Sequence, residues 1–153
     1  MSADEDKVGT LVSAARAAMA HAHAPYSRFA VGAAVRLTDG EIIAGANFEN
    51  ASYGLSLCAE TVALAAANAG GRLADVEALA VAGGPLDQQT DAVVTPCGRC
   101  RQILNEAEQV AGRPILIYCA APTGDAVVEH RLSELLPFAF GPNDLGHNSD
   151  RKN

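Results

Sequence analysis

The tightest constraint on the fold is a turn signal, Asp39-Gly40, set between two apolar runs in FAVGAAVRLTDGEIIAGANFEN, residues 29–50. An Asp-Gly pair tolerates the positive φ that a tight hairpin requires, so the flanking runs are expected to pair as antiparallel strands. Upstream, Val8, Leu11, Val12, Ala15, Ala18, Met19 and Ala22 recur at helical spacing. They predict an amphipathic helix over residues 8–23, stopped by Pro25. Downstream, helical and strand patterns alternate. A loop over residues 51–56 leads into CAETVALAAANAG, an alanine-rich helix closed by Gly70-Gly71. VEALAVAGG reads as a buried strand, PLDQQTDAVV as a polar loop, PCGRCRQILNEAEQ as a third helix and PILIYCAA as a fourth strand. LSELLP is a short helix before the loop FAFGPNDLG, and residues 146–153 are expected to form a flexible tail. Helix, hairpin and then alternation point to an α/β layered domain with helices on both faces of a mixed sheet. The pattern does not fix the strand order.

At 153 residues, with 49% hydrophobic and 19% charged positions, the chain is expected to be one globular domain. No apolar run reaches membrane-spanning length, and the acidic start MSADEDK does not read as a secretion signal. The expected location is therefore the cytoplasm, where thiols stay reduced. Four cysteines in such a chain are better explained by metal or catalysis than by disulfides. A formal charge of −7 argues against a nucleic-acid partner, whose binding is driven by lysines and arginines. A small neutral or cationic ligand fits better.

Three of the four cysteines fall in LCAETVAL and TPCGRCRQ. A Cys-x-x-Cys pair serves as a redox couple, a structural zinc site or part of a catalytic zinc site. A structural site needs a fourth ligand, and the spare thiol, Cys119, sits in an apolar strand where cysteine behaves as a small hydrophobe. Cys58, Cys97 and Cys100 then leave one tetrahedral position for water, the arrangement of a catalytic zinc. All three fall at predicted helix starts, where the macrodipole and unpaired N–H groups stabilise thiolates. Glu60 would lie in the same first turn as Cys58, near the metal without binding it. A carboxylate there can move a water's protons. By itself it could equally be a helix-capping charge.

Cys-Ala-Glu followed by Pro-Cys-x-x-Cys resembles the signature of the zinc-dependent nucleobase deaminases. From about residue 25 to 145, the stretches PYSRFAVGAAV, GANFENASYGLSLCAE, PCGRCRQIL and LLPFAFGPNDL are similar to the short, homotetrameric class of cytidine deaminases. The resemblance implies a three-layer α/β/α sandwich with a mixed sheet of about five strands. It also implies one Zn²⁺ per chain on Cys58, Cys97 and Cys100, with Glu60 as proton shuttle for attack of water on C4 of the pyrimidine. Asn47 and Glu49 match the pair that grips the ribose hydroxyls, and two such residues two apart on an extended segment do point the same way. Phe29 matches the aromatic that lies against the pyrimidine. Phe140 matches one brought in from a neighbouring subunit, and Ala51 and Tyr53 match the loop reaching into the adjacent site.

Two positions depart from the common pattern. Thr61 stands where arginine often follows the catalytic glutamate, and Arg99 stands between the two zinc cysteines where a small residue is common. Three thiolates on Zn²⁺ sum to −1, so Arg99 is a candidate to supply nearby positive charge. The competing readings are deamination of a related cytosine nucleoside of the blasticidin type, a non-catalytic zinc-stabilised nucleoside-binding module, and a nucleic-acid deaminase. The last is disfavoured by the charge, and Glu60 has no purpose in a binding module.

Overall fold

The structure is a computed structural model that describes residues 2–147. Strands β1 (Phe29–Leu37), β2 (Ile42–Ala46), β3 (Val76–Pro85), β4 (Leu116–Ala120) and β5 (Val127–Arg131) form one sheet in the order β2-β1-β3-β4-β5. Neighbours are antiparallel except β3 and β4, which run parallel. The Asp39-Gly40 turn joins β1 to β2 as expected, with Gly40 at φ 92°.

Helix α1 (Ala3–Ala18) covers one face of the sheet, its Leu11, Val12 and Ala15 packing with Ala34, Ala78, Ala80 and Tyr118. Helices α2 (Ala59–Ala69), α3 (Gly98–Ala111) and α4 (Leu132–Leu135) cover the other face. There Ala63, Leu64, Leu104 and Leu132 meet Val35, Leu79, Val81 and Ile117. The central strands β1, β3 and β4 thus send alternate residues into two cores, the period-two consequence of the pleat. The three-layer mixed sandwich is the expected fold. Among the described residues no helix is long and apolar enough to cross a membrane.

Three local expectations are corrected. The first helix starts at Ala3, not residue 8, and ends in a 3₁₀ turn, Met19–His21. A capping box between Ser2 and Glu5, with Asp4, Glu5 and Asp6 in the first turn, extends it beyond the apolar periodicity. Strand β5 lies where no strand was read. Its residues are mostly exposed on a sheet edge, which erases the apolar signal. In the loop FAFGPNDLG, Pro142–Leu145 form a 3₁₀ turn that His147 closes by donating its N–H to Pro142 O at 2.9 Å. The rest of the expected tail, 148–153, lies outside the described residues.

The topology places the site. Because β2 and β3 both run antiparallel to β1, they are parallel to each other, as are β3 and β4. The crossovers through α2 and α3 therefore run the same way over the same face, and both helices start at the carboxyl end of a strand, where α/β folds bind ligands. Gly45 on β2 lets α2 approach closely: a Cβ there would lie 2.7 Å from Ala63 N and 2.9 Å from Ala59 O.

Candidate active site

Cys58 is the N-cap of α2 and Cys97 the N-cap of α3. Neither thiol caps its own helix, so both remain available to a third party. Cys100 lies one turn into α3 and is buried. The three sulfurs lie within 4.8 Å of one another, and Cys58 Sγ and Cys97 Sγ are 3.7 Å apart. Zn–S bonds of about 2.3 Å at tetrahedral angles put sulfurs about 3.8 Å apart. The donor set fits zinc, with one position left open. Cys119 faces the core on β4, fully buried, and burial together with the Glu60 charge pushes its thiol up to about 11.

Without metal the thiols share their protons unequally. A hydrogen bond from Cys100 pulls the Cys58 thiol down to about 6, aided by Cys97 and the charge of Arg99 and opposed by burial. Cys100, bonded to Cys58 and buried, is pushed well up. Zinc binding would remove the protons from all three.

Glu60 lies in the first turn of α2 and is only 4% exposed. Its Oε2 is buried without a hydrogen-bond partner. Burial raises its pKa, with the Cys58 charge adding to the effect. An orphaned carboxylate oxygen is costly unless a ligand completes it, and here it sits beside a three-sulfur metal site. That is a second observation of fit.

A cavity of about 320 Å³ opens over these groups, lined by Phe29, Asn47, Glu49, Cys58, Glu60 and Cys97 among others. Asn47 Oδ1 accepts from Val31 N at 2.9 Å and its Nδ2 donates to Phe29 O at 2.9 Å. Each amide atom keeps one further hydrogen-bonding site for a ligand. Glu49 Oε1 accepts from Tyr26 N and Ser27 N at 3.0 and 3.1 Å. These bonds, with the Ser27 side chain foremost, hold its pKa below the usual 4.5.

Ala51, Tyr53 and Phe140, expected to reach a neighbouring subunit's site, lie outside this cavity. Ala51 and Tyr53 lie on the exposed connection to α2, and Tyr53 is 73% exposed with its ring 5.5 Å from that of Tyr26. Phe140 is 59% exposed. Arg99 reaches the cavity rim rather than a sulfur: its Nη1 donates to Ser56 O at 3.0 Å. Thr61 Oγ1 instead lies 3.6 Å from Cys100 Sγ. Val31, Val81, Val94 and Thr95 also line the cavity; Val31 and Val81 carry only a core signal on their strands, and Val94 and Thr95 lie in the loop before α3, where no local pattern marks them.

Three cysteine sulfurs and a buried glutamate at two helix starts are a deaminase-like arrangement, and comparison with known proteins agrees. Residues 5–112 match the family model described as the cytidine and deoxycytidylate deaminase zinc-binding region. Cytidine deaminase of Halalkalibacterium halodurans is 44% identical over 135 residues, spanning 88% of this chain and 95% of that protein. Cytidine deaminase of Mycobacterium tuberculosis is 46% identical over 130 residues, spanning 84% and 85%. Among solved structures, cytidine deaminase from Burkholderia pseudomallei superposes with a TM-score of 0.75 at 42% identity, covering 86% of this chain and 98% of that one. The M. tuberculosis enzyme gives 0.69 at 41%, covering 88% and 97%. With the family model matched across both cysteine motifs, the chain belongs to the cytidine and deoxycytidylate deaminase family.

Proposed function

We propose that this chain hydrolyses cytidine and deoxycytidine to uridine and deoxyuridine, releasing ammonia. The observation that carries the reading is the orphaned Glu60 Oε2, buried beside three sulfurs at the floor of a nucleoside-sized cavity. Cys58, Cys97 and Cys100 would hold one zinc per chain. Bound zinc supplies Lewis acidity that makes water nucleophilic near neutral pH. Glu60 takes one proton from the water as it attacks C4 and delivers it to the ring nitrogen, then takes the second from the resulting C4 hydroxyl and passes it to the departing amine, leaving the C4 carbonyl and ammonia. Its raised pKa suits a group that must both accept and donate protons. Phe29 packs against the pyrimidine, while Asn47 and Glu49 grip the ribose hydroxyls. Arg99 lends positive charge to the thiolate cluster.

The proposal extends to assembly. The chain is one domain that acts as a homotetramer with shared sites, Ala51 and Tyr53 on one loop and Phe140 on another reaching into neighbours. What supports this is apolar surface that water would otherwise cover: Tyr53, Leu55, Phe138, Phe140 and Leu145 are all exposed. A cytoplasmic place in pyrimidine salvage suits reduced thiols and a nucleoside substrate. Ultraviolet absorbance during incubation with cytidine, cytosine, CMP and adenosine tests the reaction. Turnover of cytidine with little of the other three is expected, and no turnover of cytidine by the zinc-loaded chain overturns the reading.

A further inference from the structure

Helix α3 holds more than thiols. Gln102 and Asn105, three residues apart and so on one face of the helix, both donate to a single acceptor, the carbonyl of Phe140, at 2.9 and 3.1 Å. Two donors fill both lone pairs of that oxygen. Asn105 is a polar residue only 8% exposed, held inside the protein by this contact. The loop comes in so closely that a Cβ on the next residue, Gly141, would stand 3.0 Å from Asn105 Nδ2. The Phe140 backbone is thus tightly fixed while its ring is left largely in solvent. Nearby, Phe138 is fully exposed and adopts φ 56°, a conformation unfavourable for a residue with a Cβ.

We propose that Gln102 and Asn105 are positioning residues for catalysis in the adjacent subunit. One helix would set two sites: its first turn places Cys97 and Cys100 for the protomer's own zinc, and the next turn clamps the carbonyl that aims Phe140 into the neighbour's nucleoside pocket. Asn105 follows Cys100 by five residues, about 7.5 Å along the axis, so the ring is referenced to the metal helix by a short rigid spacing. A fixed backbone spares the ring the ordering cost it would otherwise meet on each binding event. The clamp should therefore act on substrate affinity and leave the metal alone. This rests on the reading that Phe140 serves a neighbouring site.

The test compares Phe140→Ala, Gln102→Glu, Gln102→Lys, Asn105→Ala and Gly141→Ala as zinc-loaded full chains. Gln102 is exposed, so its substitutions are compatible with folding. Gln102→Glu keeps the shape but loses the donor, and one such bond is worth roughly fivefold. KM for cytidine should rise by about that factor, with kcat, zinc content and oligomeric state unchanged. Gln102→Lys keeps a donor and should stay near the parent. Asn105→Ala and Gly141→Ala should raise KM further. Co-assembly then assigns the effect to the right subunit. Mixing Gln102→Glu chains with Glu60→Gln chains, which lack the proton carrier but keep the clamp, should restore a parental KM to part of the activity. If Phe140→Ala leaves KM unchanged, the shared-site reading fails. If Phe140→Ala raises KM while the Gln102, Asn105 and Gly141 variants do not, or if mixed assemblies recover nothing, the clamp proposal fails by itself.

Discussion

Thr61 Oγ1 lies 3.6 Å from Cys100 Sγ, at one of the two positions where the chain departs from the pattern it resembles. The hydroxyl can donate to the thiolate, so one charge-stabilising contact to the cluster survives in neutral form. On the proposed reading the positive charge would come from the other helix, where Arg99, anchored to Ser56 O, favours the Cys58 thiolate. Contacts behind metal ligands typically change affinity or activity by about 10–100-fold. Arg99→Ala should loosen zinc and lower kcat toward the lower end of that range, with KM changed less. Thr61→Arg in the Arg99→Ala background should recover part of both. Zinc affinity by chelator competition checks this. Silence of Arg99→Ala in zinc retention and kcat would mark it as a surface residue.

Cys119 should prove irrelevant to the metal. It packs in the core between sheet and helices, outside the three-sulfur cluster. Cys119→Ala should retain one zinc per chain and lose only about 1 kcal/mol of stability from the small cavity created. Metal analysis with a melting curve checks both. Zinc lost from that variant would make the site a structural four-thiol centre.

Glu49 gives a pH dependence of defined sign. Its folded pKa lies below the usual 4.5, so its contribution is fully present above about pH 4.5 and is lost as pH falls through the lowered folded value. Binding of uridine, followed by calorimetry, should owe no pH dependence to Glu49 from neutrality down to that region. Glu49→Gln should weaken binding at neutral pH by about 10–100-fold, the scale of a lost charged hydrogen bond. It should also flatten any acidic fall relative to the parent. Equal affinities at neutral pH would remove Glu49 from the ribose site.

What the sequence made legible follows from where the physics is local. Asp39-Gly40 announces its hairpin because turn geometry depends on two residues, and Cys58, Glu60, Cys97 and Cys100 announce chemistry because few other side chains can perform it. The helix start at Ala3 was hidden because a capping box precedes the apolar periodicity. Strand β5 was hidden because Val127 and Val128 face solvent at a sheet edge. Gln102 and Asn105 meet their partner 38 and 35 residues away, a separation at which no periodicity connects donor to acceptor. Arg99 differs again. Its charge was legible, but the nearest acceptor, Ser56 O, is a backbone atom that no side-chain pattern reveals.

The central claim is that Glu60 is the proton carrier beside a three-thiolate zinc, and kcat of zinc-loaded Glu60→Gln tests it most directly. Glutamine preserves the shape and cannot carry a proton. General acid–base catalysis typically contributes about 10²–10⁴-fold, and a group used at several transfers should reach the top of that range or exceed it. The account predicts a folded protein with one zinc per chain and kcat reduced by about 10⁴-fold or more. A zinc-loaded Glu60→Gln enzyme within a few-fold of the parent would contradict it.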